Sequence, residues 1–82
     1  MRRVILISGV SSGFGRESAA RLAAAGHTVY GTVRNATDPL PGVTHLAMDL
    51  TDHDSIIRTV KEVVEREGRI DVLINNAGMH TG

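Results

Sequence analysis

The 82-residue chain reads as an α/β fold: a parallel β-sheet with flanking helices. Three observations predict it. Apolar runs rich in β-branched residues alternate with helix-forming segments, in the order β-loop-α-β-loop-β-α-β, which argues a parallel sheet joined by right-handed crossovers. The first run, Val4 to Ile7 (VILI), is apolar throughout rather than alternating, so both of its faces should be buried, as in a parallel sheet. A glycine-rich turn, Ser8 to Gly15 (SGVSSGFG), stands between that run and the first helix.

The elements follow in order. After the turn, Arg16 to Ala25 (RESAARLAAA) holds strong helix formers, with Phe14, Ala19, Leu22 and Ala23 grouped on one side. Gly26 ends the helix in the manner of a C′ residue. His27 to Val33 (HTVYGTV) is a second strand with a weak spot at Gly31. Asn35 to Gly42 (NATDPLPG) holds both prolines and has no periodicity, so it is a loop. Val43 to Met48 is a third strand, closed by Asp49-Leu50-Thr51. Thr51-x-x-Asp54 is close to a capping box, with Asp in the place of Glu or Gln. Ile56, Ile57, Val60, Val63 and Val64 recur at helical spacing through Glu67, and Gly68 stops that helix. Ile70 to Ile74 is a fourth strand, followed by Asn75-Asn76-Ala77-Gly78 and a short tail.

Composition excludes several classes. Nine basic and nine acidic residues cancel, so no excess charge points to nucleic acid or an anionic membrane surface. There is no cysteine, which removes disulfides, thiolate catalysis and cysteine-ligated metal. Phe14 and Tyr30 are the only aromatics, too few for a base-stacking platform. The N-terminal apolar run is too short for a signal-peptide core or a membrane span, so a cytoplasmic protein is the default. A chain this short buries only about 60% of its unfolded surface. Four strands with both faces apolar need more cover than two helices give, and the fourth strand would be an open apolar edge. Gly82 therefore reads as a truncation point.

The chemistry lies in the loops after the strands. A helix N-terminus offers unpaired N–H groups and the positive end of a dipole. Glycines before it allow a tight turn and the close approach of a pyrophosphate. Gly9 would make the turn, Gly13 the close approach and Gly15 the helix–strand packing, while Ser11 and Ser12 could donate hydroxyl bonds. The bland reading is a flexible turn. No acid stands between Glu17 and Asp38, and Arg34 follows the second strand. An acid there would bind a ribose 2′-hydroxyl, whereas an arginine pairs with a 2′-phosphate, which favours NADP(H) over NAD(H); the bland reading of Arg34 is a solvated surface arginine. Asp49, with Leu50, ends the third strand, where it could accept from an adenine amino group or simply favour the helix that follows. Asn75 to Gly78 suits a close backbone contact with a ribose, or a plain turn.

With these residues together, the chain resembles the N-terminal part of the short-chain dehydrogenase/reductase family. That family's Thr-Gly-x-x-x-Gly-x-Gly motif is matched by Ser8 to Gly15, with Ser for Thr and Phe14 for the usual Ile. Its Asn-Asn-Ala-Gly motif stands unchanged at Asn75 to Gly78, and its strand-three Asp is Asp49. The resemblance covers essentially the whole chain. It implies a Rossmann-like fold with strand order 3-2-1-4 and residues 1–82 as the N-terminal part of one dinucleotide-binding domain. It implies NAD(P)(H) as cofactor, with Arg34 matching the members that prefer NADP(H). It also implies that Asn76 helps hold the sheet, that Ala77 and Gly78 lie along the adenine ribose, and that Phe14 acts through its backbone N–H.

The family's catalytic serine and its tyrosine four residues before a lysine all lie downstream of Asn-Asn-Ala-Gly, where this chain has only Met79, His80, Thr81 and Gly82. Tyr30 has Arg34, not Lys, four residues on. No catalytic residue is assigned, and the chain alone should be inactive. The four histidines lack metal-site spacing, so no metal site is assigned. The expected function is that of an NADP(H)-dependent oxidoreductase acting on a carbonyl/alcohol pair, present as its cofactor-binding part. A full-length form would take a small-molecule substrate and could form a homo-oligomer. The alternative is a non-catalytic nucleotide-binding or interaction module completed by a partner chain.

Overall fold

The computed structural model describes residues 2–11, 13–34 and 39–76. Its elements are β1 (Val4–Ser8), α1 (Gly13–Ala24), β2 (Thr28–Val33), β3 (Val43–Ala47), α2 (His53–Glu67) and β4 (Val72–Asn75). They form one four-stranded sheet in the order β3-β2-β1-β4, and every pairing is parallel. This is the Rossmann-like α/β arrangement and the strand order that the sequence implied.

β1 is an interior strand and explains its own composition. It pairs with β2 from Val4↔Thr28 to Ile7↔Gly31 and with β4 from Ile5↔Val72 to Ser8↔Asn75, and it is buried along its whole length. Alternate side chains feed two separate cores. Ile5 and Ile7 pack with Val10, Ala19, Val29, Val33 and Val43 on the α1 face. Val4 and Leu6 pack with Tyr30 and Val63 on the α2 face.

Several boundaries move. α1 starts at Gly13, not Arg16, because Gly9 (φ 76°) turns the chain directly out of β1 and brings the glycine segment into the first helical turn. Phe14 is 71% exposed and does not share the core face. It lies five residues before Ala19, on the opposite side of a 3.6-residue helix; Gly15 and Ala19 face inward instead. β2 begins at Thr28, since the His27 N–H turns back to the Leu22 carbonyl at 3.2 Å. β3 ends at Ala47, although the Met48 N–H still reaches the Val33 carbonyl at 3.0 Å. β4 runs from Val72 rather than Ile70. Asp71 spends both its N–H and its carboxylate on β1, through the Val4 carbonyl at 2.8 Å and the Val4 N–H at 2.8 Å. That Val4 N–H, with Arg69 beside it, holds the Asp71 carboxyl below the usual carboxylate range.

α2 departs most from its reading. Asp52, not Thr51, is the N-cap, accepting from the Asp54 N–H at 3.1 Å, because Thr51 turns its N–H and hydroxyl onto Asp49. Gly68 (φ 84°) closes the helix by donating to the Val64 carbonyl at 2.8 Å. The buried residues are Ser55, Thr59 and Val63. Ile57, Val60 and Val64 are 62%, 36% and 42% exposed, so most of the apolar stripe is not the core face. The helix approaches β3 closely through small hydroxyl side chains: Thr59 donates to the Ser55 carbonyl at 2.8 Å and lies 3.5 Å from the Ala47 carbonyl. β3 is likewise not sealed on both faces; among its residues Val43 alone is buried. β4 is the open edge expected, with Leu73 64% exposed.

Candidate functional site

The turn after β1 is held by hydrogen bonds that its sequence only partly announces. The Gly9 N–H donates to Thr32 Oγ1 at 3.0 Å and the Val10 N–H to the Thr32 carbonyl at 3.0 Å. Val10 is fully buried, and the space it fills exists because residue 31 is glycine. A Cβ on Gly31 would lie 2.5 Å from Val10 Cγ2. The apparent weak spot of β2 is therefore a socket for the turn.

Behind the turn, three motif residues close on one another. Asn76 Nδ2 donates to the Gly9 carbonyl at 3.0 Å. Gly15 sits against both, so that a Cβ there would come within 2.0 Å of the Gly9 oxygen and 2.5 Å of Asn76 Nδ2. Ser8 Oγ donates to Asn75 Oδ1 at 2.9 Å, extending the tie to β4. Gly13 faces the other way. Its φ is 65°, and a Cβ there would meet nothing within 4 Å. Ser11 and Phe14 are exposed on the same turn, and the first turn of α1 has no acidic residue to offset its positive end. The turn thus has a packed side, Gly9–Gly15–Asn76, and an open side at Gly13 suited to an anionic group. Ser12, Ala77 and Gly78 lie outside the described residues.

A second group gathers beyond β2 and β3. Arg34, Ala47, Met48, Asp49, Asp52, Ser55 and Arg58 line an open cleft of about 370 Å³. Asp49 is fixed in it. Its Oδ1 accepts from Thr51 Oγ1 at 2.7 Å and from the Thr51 N–H at 2.9 Å. Its own N–H donates to Ser55 Oγ at 2.8 Å. The two bonds from Thr51, and to a smaller degree the Arg34 charge, hold the Asp49 carboxyl below its ordinary range. Leu50 follows, 41% exposed. Arg34 and Asp49, chosen from sequence on separate grounds, therefore share one cleft. Arg58, Ser55 and Thr32 were missed. Their signals were faint: a hydroxyl in an otherwise apolar strand for Thr32, and an i, i+3 pair on the first turns of α2 for Ser55 and Arg58.

Two of the histidines serve local structure. His27 Nδ1 accepts from the Arg3 N–H at 3.1 Å, and His45 Nε2 accepts from the Leu40 N–H at 3.3 Å. Among the described residues no three His, Asp or Glu side chains gather as metal ligands would, and no helix is long and apolar enough to cross a membrane.

Comparison with known proteins agrees with this geometry. The profile of the short chain dehydrogenase family matches residues 3–82. A 3-ketodihydrosphingosine reductase from Bacteroides thetaiotaomicron is 45% identical over 80 residues, which cover 98% of this chain and 30% of that protein. The aldohexose dehydrogenase of Thermoplasma acidophilum superposes with a TM-score of 0.85 at 27% identity, covering 92% of this chain and 29% of that one. A short-chain dehydrogenase from Streptomyces avermitilis gives a TM-score of 0.83 at 37% identity, covering 93% of this chain and 31% of that one. The chain spans roughly a third of the length of these relatives. It belongs to the short-chain dehydrogenase/reductase family.

Proposed function

We propose that this chain is the cofactor-binding N-terminal part of a short-chain dehydrogenase/reductase, holding NADP(H) in preference to NAD(H). The observation that carries the reading is the two-sided turn, packed at Gly9, Gly15 and Asn76 and open at Gly13. The open side meets the cofactor's needs: N–H groups at the start of α1 for a pyrophosphate, and no side chain at Gly13 to hold it off. Ser11 and Ser12 add hydroxyl donors, and Phe14 its backbone N–H. Arg34 would pair with a 2′-phosphate, Asp49 would accept from the adenine amino group beside Leu50, and the family resemblance implies Ala77 and Gly78 along the adenine ribose. When bound, the nicotinamide supplies the hydride that passes to or from a carbonyl/alcohol pair; the protein's part is orientation and proton transfer. No Tyr-x-x-x-Lys spacing stands among these 82 residues. The relatives named above act on unlike substrates by their names, a ketosphingoid and an aldohexose, so the substrate class proposed stays at carbonyl/alcohol.

Cofactor titration tests this reading. Dissociation constants for NADPH and NADH should differ in favour of NADPH, and Arg34→Asp should lower that preference by about tenfold or more. Gly13→Val should abolish binding of both by blocking the approach of the phosphates. Equal affinities in the wild type would remove Arg34 from the argument, and unchanged binding in Gly13→Val would refute the loop assignment. A second reading, an interaction module completed by a partner chain, draws on the exposure of Leu73 at the sheet edge. It predicts a second polypeptide that co-purifies in fixed ratio.

A further inference from the structure

We infer that Arg58 is a second cation for the cofactor's 2′-phosphate, acting across the cleft from Arg34. The inference rests on the NADP(H) reading and adds a specificity residue to it. Arg34 follows β2 and Arg58 lies on α2, yet both line the same cleft.

The charge balance of that cleft makes Arg58 necessary. Its lining carries two aspartates, Asp49 and Asp52, and two arginines. With Arg34 alone, the lining would be net negative by one charge and would repel an anion; Arg58 brings it to neutrality. A phosphate monoester has a second pKa of about 6, so the group to be bound is mostly a dianion at neutral pH. One guanidinium facing two carboxylates is a poor host for it.

The carboxylates are already held by hydrogen bonds, and the arginines are not. Asp49 Oδ1 accepts two bonds from Thr51, and Asp52 Oδ1 caps α2 through the Asp54 N–H. Glu62, one turn beyond Arg58 and its natural i, i+4 partner, is taken by Arg66 at 2.6 Å. Neither Arg34 nor Arg58 makes a hydrogen bond or ion pair with any described residue, whereas Arg21, Arg66 and Arg69 each pair with an acid. Two arginines that line one cleft and bond to no described side chain can each bind a phosphate bidentately.

The test is the binding of NADPH and NADH to the wild type and to Arg58→Gln, Arg58→Lys and Arg34→Asp. Arg58→Gln should weaken NADPH by about tenfold and leave NADH within about twofold. Arg58→Lys keeps the charge and the helix propensity and should recover most of the NADPH affinity. An equal loss for both cofactors, or no loss for either, overturns the inference. Loss of preference in Arg34→Asp but not in Arg58→Gln overturns Arg58 alone and leaves the NADP(H) reading standing. A wild type indifferent between the two cofactors overturns both.

Discussion

The two faces of the sheet are sealed by different means. On the α1 face seven buried residues form one cluster, and the helix comes down on Gly15 and Ala19. On the α2 face the buried cluster has four, and the helix comes down on Ser55 and Thr59, whose hydroxyls bond to backbone groups of Asp49, Ser55 and Ala47. Ile57, Val60 and Val64 of α2, and Leu73 on the same face of β4, remain exposed. The α1 side therefore couples packing to the glycine turn, because the residue that lets the helix close also holds Gly9 and Asn76. The α2 side couples packing to the cleft through Ser55 and through Thr59 at Ala47, and leaves apolar area to spare.

The largest effect should follow from Gly15→Ala. A methyl group there meets backbone, the Gly9 carbonyl at 2.0 Å, and cannot be relieved by a rotamer change. Overpacking against a fixed neighbour costs about 3 kcal/mol. Because Gly9 and Asn76 move with it, cofactor affinity should fall as well. Urea unfolding and NADPH titration of the same protein measure both. If the variant loses less than about 1 kcal/mol and binds normally, the packed side of the turn is not what joins α1 to the site.

Val63→Ala probes the other face. Val63 is fully buried and is the one buried apolar side chain that α2 gives to that core, against Val4, Leu6 and Tyr30. Removing two methyl groups and leaving a cavity should cost about 2 kcal/mol. Cofactor affinity should hardly change, since Val63 lines neither the turn nor the cleft. A drop in affinity matching the drop in stability would erase the distinction between the two faces.

Local patterning carried the element types and the placing of the glycine turn, while the strand order came from the family resemblance. VILI is buried on both faces because β1 lies inside the sheet with a core packed on each side. It misled where a contact joins distant segments. Gly31 looked like a defect, yet Val10, 21 positions earlier by number, fills the gap it leaves. The α2 stripe followed helical periodicity faithfully, but periodicity cannot say which face a sheet will accept. Here Thr59 and Ser55 find backbone acceptors on β3 and its exit, and Ile57, Val60 and Val64 turn outward. Phe14 failed for a simpler reason: five residues before Ala19, it stands on the opposite side of a 3.6-residue helix. For the candidate site, Arg34 and Asp49 were visible as end-of-strand residues, while Arg58 enters only through the fold, from a helix that first has to dock.

The smallest effect should come from Ile57→Gln and Val64→Gln together. These residues are i and i+7 on the outer side of α2 and more than two-fifths exposed. Glutamine is a better helix former than either β-branched residue, which offsets the little apolar area each contributes. Unfolding free energy should therefore change by less than about 0.5 kcal/mol. Self-association should change more than stability, because a contiguous apolar patch is a contact surface for like molecules. Sedimentation velocity across a concentration series, set beside urea unfolding, separates the two. A loss above about 1.5 kcal/mol would mean that the stripe is packed in solution. The α2 face would then be sealed like the α1 face, and the contrast between them would not hold.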